Sequence, residues 1–70
     1  MKVWVLEQFG NDGFRAVVHV FGSEQGVIKY MELFGDVSLA RRVSNGQQEM
    51  VFKLSDYPTT YRATQFWVES

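Results

Sequence analysis

Seventy residues with seven basic and eight acidic side chains, a net charge of −1, 46% hydrophobic residues and no cysteine describe one domain that spans 1–70 and cannot lean on disulfides or a Cys/His zinc site. The charge balance supplies no global field to draw in nucleic acid or an anionic membrane. The longest apolar run, 16–21 with His19 inside it, is far short of a bilayer span, and the first residues lack the basic-then-apolar order of a secretory signal, so a cytosolic protein is expected.

The aromatic supply is large for such a chain. Six Phe, three Tyr and two Trp each bury about 150–250 Å² when enclosed, and a domain of this size encloses only about 60% of its unfolded surface. Some aromatics are therefore expected at a surface or an interface.

Residues 2–9 are rich in β-branched and aromatic side chains and end at Gly10-Asn11-Asp12-Gly13, a cluster of turn formers. Residues 14–21 follow at once, and the two segments read as an antiparallel hairpin. Both are apolar at odd and even positions alike, whereas a strand with one buried face alternates. Such strands need cover on both sides. Gly22 then breaks the chain direction, Ser23 stands at a helix N-cap position, and Glu24 places a negative charge in the first turn. Val27, Ile28, Met31 and Phe34, with Tyr30 at the margin, recur at spacings of three and four and define one apolar stripe, which Gly35 terminates. This is the only helix the periodicity supports, and one helix covers one side of a sheet.

Val37, Leu39 and Val43 alternate with Asp36, Ser38, Ala40 and Arg42; Met50, Phe52 and Leu54 alternate with Glu49, Val51 and Lys53. Between them, Ser44-Asn45-Gly46-Gln47 carries the Asn-Gly pair of a type I′ hairpin turn. Residues 55–60, with the single proline Pro58, read as a loop. Residues 61–68 form a last strand with Tyr61, Ala63 and Trp67 opposed to Arg62, Thr64, Phe66 and Val68. It can pair with the first strand or the fourth. The expected fold is a two-layer α+β sandwich: a mainly antiparallel sheet of about five strands in the order ββαβββ, with the helix packed on one face.

The opening Val3-Trp4-Val5-Leu6, the acid-glycine turn Asp12-Gly13 and the segment Val20-Phe21-Gly22-Ser23-Glu24 leading into a helix resemble an uncharacterised family of short bacterial and phage proteins with a strand-strand-helix start. The resemblance covers the first half of the chain, and Gly26 and Val27 stand where that family's helices usually carry lysine and alanine. It implies an origin in a phage or mobile element and, with it, a protein that blocks a host or defence protein. It carries no catalytic or binding residue onto this sequence.

No catalytic set stands out. His19 is flanked by Val18 and Val20, on the side expected to hold Val17 and Phe21, with no serine nucleophile or acidic orienter at a readable spacing. The carboxylates are scattered without metal-ligand spacing, and Asn11-Asp12-Gly13 lacks the further acids of a calcium loop. The turn Gly22 to Gly26 lacks the lysine of a P-loop and the glycine spacing of a dinucleotide site. Glu7, an acid in an apolar strand, is read as a rim residue or as the partner of Arg15 across the hairpin. Val17-Val18-His19-Val20-Phe21 resembles a strand of the cold-shock domains, which stack single-stranded bases on sheet aromatics. However, Gly13-Phe14-Arg15-Ala16 supplies only half of their Gly-Phe-Gly-Phe type motif, and a helix has no place in that barrel. Arg41 and Arg42 point to opposite faces by the period of two and form no basic stripe.

These features favour a non-catalytic protein-interaction module without cofactor or metal, working through its sheet surface as a homodimer, by binding another protein, or both. The alternative is a single-stranded nucleic-acid-binding module using sheet aromatics. Trp4, His19, Phe21, Phe66 and Trp67 are the candidate binding residues, expected on the uncovered face or its rim. The competing arrangement makes the first two strands central in a curved sheet and all five residues core.

Overall fold

The computed structural model describes residues 1–55 and 58–69. Its elements are β1 (Lys2–Phe9), β2 (Arg15–Phe21), α1 (Glu24–Glu32), β3 (Val37–Ser44), β4 (Gln47–Leu54) and β5 (Thr60–Trp67). All strand pairs are antiparallel and the sheet order is β2-β1-β5-β4-β3. The last strand pairs with both candidates, β1 on one side and β4 on the other, so β5 is the centre of the sheet and β2 and β3 are its edges. The helix packs on one face, completing the expected two-layer α+β sandwich. Part of the expected 55–60 loop, Asp56 and Tyr57, lies outside the described residues.

Local chemistry accounts for each boundary. In the first turn the Asp12 carboxylate accepts the Phe14 amide at 3.0 Å, and the Gly10 amide donates to the Phe14 carbonyl at 2.8 Å. These bonds hold Phe14 in the turn, and β2 starts one residue later than the pattern predicts. Ser23 is extended and its hydroxyl accepts the Gly26 amide at 3.1 Å, which fixes the helix start. Gly35, at φ 93°, donates to the Glu32 carbonyl and turns the chain out of the helix. Asn45 and Gly46 have φ of 53° and 78°, the two positive values a type I′ turn requires.

The even positions of β1 face the helix. Trp4 and Leu6 join Met50, Phe52 and Leu54 of β4, Tyr61 and Ala63 of β5, and Val27 and Met31 of α1 in one core. Each such aliphatic or aromatic side chain contributes on the order of 1.5–3 kcal/mol on full burial. The pairing of β1 with β2 slips between Leu6 and Glu7: Leu6 opposes His19 but Glu7 opposes Val17, so Val18 is the extra residue of a β-bulge. Directly opposed residues share a face, so the bulge corrects one expectation. Val17 goes to the face away from the helix, while His19 and Phe21 stay beside it.

Candidate interaction surface

Among the described residues, the face away from the helix has no second layer. At one end Val5 of β1 lies between Val20 of β2 and Thr64 of β5, and Val3 opposes Phe66. Val17 and Val20 remain 61% and 52% exposed and Phe66 39%. The double-sided hydrophobicity of the first hairpin is thus resolved by the helix on one side and by nothing within the described chain on the other.

Beside this aliphatic area, five charges alternate across all five strands. The Arg15 Nε donates to Glu7 at 2.6 Å, Glu7 lies 3.8 Å from Arg62, Arg62 lies 3.8 Å from Glu49, and the Arg42 Nε donates to Glu49 at 2.7 Å. Both carboxylates are buried, whereas the guanidinium side chains of Arg15 and Arg42 are more than half exposed. Burying an unpaired carboxylate is strongly unfavourable. The arginines therefore explain how Glu7 and Glu49 can sit in central strands. The hydrogen bond that Arg15 donates to Glu7, then the charge of Glu7, raises the Arg15 pKa above its ordinary value, so this guanidinium stays ionised.

Arg62 holds the middle of the row. Its guanidinium lies over the Phe9 ring at 4.6 Å and that of Arg15 lies at 5.5 Å from the same ring. A shallow hollow of about 220 Å³ opens there, lined by Phe9, Arg42, Val51, Thr60 and Arg62. With Lys53 also exposed and on this face opposite Thr60, the face carries four basic and two acidic residues. Its charge is +2 on a chain whose net charge is −1. What it presents to solvent is cationic, because its carboxylates are underneath.

The five aromatic and histidine candidates are not brought together on this face. Trp4 is 4% exposed in the core on the helix side, because its position in β1 pairs with Phe21 and Gln65 on that side; the uncovered-face placement does not hold for it. His19 is exposed on the helix side, its ring 4.7 Å from Phe21 and 6.5 Å from Tyr30. Phe21 is half-buried against the core and Tyr30. These rings continue through Phe34 to Tyr61 along the helix rim, at centroid distances of 5.7 and 5.6 Å. Trp67, 74% exposed, lies in the register row of Lys2, whose Nζ is 5.1 Å from its ring. Only Phe66 lies on the uncovered face.

The residues the sequence reading passed over are Val17, Val20, Arg42, Glu49 and Arg62. Two of them carried a readable signal: counting outward from the Asn45-Gly46 turn sets Ser44 against Gln47 and so Arg42 against Glu49, as the register has it. Arg41, one residue away, points to the helix side and pairs with Glu24. Among the described residues no three His, Asp or Glu gather as metal ligands, and no helix is long and apolar enough to cross a membrane. No protein-family model, curated protein or solved structure matches this chain.

Proposed function

We propose that this protein is a non-catalytic interaction module whose uncovered sheet face docks onto an acidic, partly apolar surface of another protein. The observation that carries the reading is the juxtaposition of Val17, Val20 and Phe66 with the exposed guanidiniums of Arg15 and Arg42 on a single layer without cover. Contiguous exposed apolar surface marks interaction sites, and arginine is enriched among residues that dominate binding energy. Charge complementarity selects an acidic partner, since both carboxylates of the face are already engaged. On the resemblance of the first half of the chain alone, the reading extends to a host or defence protein as the partner blocked.

A photoactivatable cross-linking residue placed at Val20, in cells that express the chain, tests the proposal against the same group at Lys29 on the helix. An adduct of one defined mass from Val20 and none from Lys29 is expected. Equal adducts from both sites, or adducts from Lys29 only, remove the docking face.

Single-stranded nucleic acid is the second reading, favoured by the +2 charge and by Phe66 on the face. It is the weaker one, because the Phe9 ring is already occupied by two guanidiniums and valines offer bases nothing to stack on. Chemical-shift changes at Phe66 and Arg42 on adding oligo-thymidine at low salt would favour it; an unchanged spectrum discards it.

A further inference from the structure

We propose that β3 is the edge through which two copies of this chain pair, antiparallel and centred on Ala40, joining two five-stranded sheets into one. This inference stands apart from the docking face, which it leaves open.

The two edges of the sheet differ. The β2 edge is interrupted by the bulge at Val18, a device that twists an edge away from further pairing. β3 pairs with β4 residue for residue from Val37 to Ser44 with no slip and no proline, and its outer side has no strand partner among the described residues. Residues 38–43 are all exposed. The helix backbone lies nearest β1 and β2 and reaches β3 through the Glu24 side chain. Charged side chains commonly guard an edge, but here Arg41 is held by Glu24 and Arg42 by Glu49 within the same chain. Both guard side chains are thus tied back within the chain.

Charge and symmetry then select the register. A two-fold axis perpendicular to the sheet keeps each face on its own side, so a residue can oppose only one of the same parity. Centred on Ala40, the pairing uses all of the strand but Ser44: Val37 opposes the partner's Val43, Leu39 opposes the partner's Arg41, and Ser38 opposes the partner's Arg42. No like charges meet, and Val43, 71% exposed in the single chain, gains an apolar neighbour. Centring on Arg41 sets guanidinium against guanidinium, and centring on Arg42 does the same. Centring on Leu39 leaves Arg42, Val43 and Ser44 without a β3 partner and sets Val37 against an arginine.

The test uses the absence of cysteine from the chain. Residues facing each other across the axis have Cα atoms about 4.5–5.5 Å apart, within the disulfide range of about 4.4–6.8 Å. Ala40→Cys is therefore expected to oxidise to a covalent dimer as its main product, while Val17→Cys on the open face stays largely monomeric. Sedimentation equilibrium of the unmodified chain at micromolar to millimolar concentration should give a dimeric mass, and Ala40→Lys a monomeric one with unchanged far-ultraviolet circular dichroism. A monomer throughout that range, a dimer that survives Ala40→Lys, or faster cross-linking from Val17→Cys than from Ala40→Cys, which would mean two copies packed face to face, each overturns the proposal.

Discussion

Glu7 and Glu49 occupy buried positions in inner strands because arginines from neighbouring strands reach each of them. Their contribution is asymmetric. Retaining each pair adds little net stability after desolvation, whereas removing one partner leaves a buried charge without its complement. Glu49→Gln keeps the shape and removes the charge, leaving Arg42 and Arg62 facing a neutral amide. A loss of about 1 kcal/mol is expected in urea denaturation, while Arg42→Gln, which leaves the buried Glu49 carboxylate with only Arg62 at 3.8 Å, should cost more, on the order of 1–3 kcal/mol. At this scale much was legible. Arg42–Glu49 follows from the Asn-Gly turn, whereas a four-residue first turn would set Arg15 against Gln8; Phe14, held in the turn, shifts Arg15 opposite Phe9 and so onto the face of Glu7. The position of Arg62 between both acids was not legible, because it depends on β5 entering between β1 and β4, which no local pattern encodes.

Among the elements, capping and turn chemistry was the most readable part of the chain, since Ser23, Gly35, Asn45 and Gly46 each meet a backbone requirement that few residues meet. Ser23→Ala should cost about 1 kcal/mol through loss of the bond to the Gly26 amide. Gly46→Ala should cost roughly 1–2 kcal/mol, because alanine resists the left-handed conformation at φ 78°. Both are measured as shifts in the urea midpoint at unchanged slope. Gly26 behaves differently. A methyl there would gain up to about 1 kcal/mol of helix propensity but would meet the Phe21 ring at 3.3 Å and the Ser23 hydroxyl at 3.4 Å, so Gly26→Ala should fall short of that gain. The bulge at Val18 was illegible: a run of Val, Val, His and Val offers no residue whose chemistry marks the slip, and the slip alone decides which face Val17 joins.

For the whole molecule, one layer of helix on five strands leaves a face with no internal role in the core. The sequence already carried this in the two-sided hydrophobicity of residues 2–9 and 14–21, which distinguishes them from the cleanly alternating second hairpin. Its emphasis on aromatics pointed elsewhere, because Trp4 and Phe21 meet the core's own demand for bulk. The division between the two faces has an energetic signature. A domain of this length is stable by about 0.05–0.15 kcal/mol per residue, so Phe52→Ala, at a core cost of about 3–5 kcal/mol, should remove a large share of the stability and lower the melting temperature strongly. Val20→Lys should change stability by no more than about 0.5 kcal/mol. The comparison needs only thermal melts followed by circular dichroism.

The central claim is that the sheet face bearing Val17 and Val20 is free of any covering layer in the protein alone. Methyl resonances recorded with a soluble paramagnetic relaxation agent measure this directly. The methyl groups of Val17 and Val20 should broaden strongly while those of Val27, buried beneath the helix, stay sharp. Equal protection of Val17, Val20 and Val27 would contradict the account.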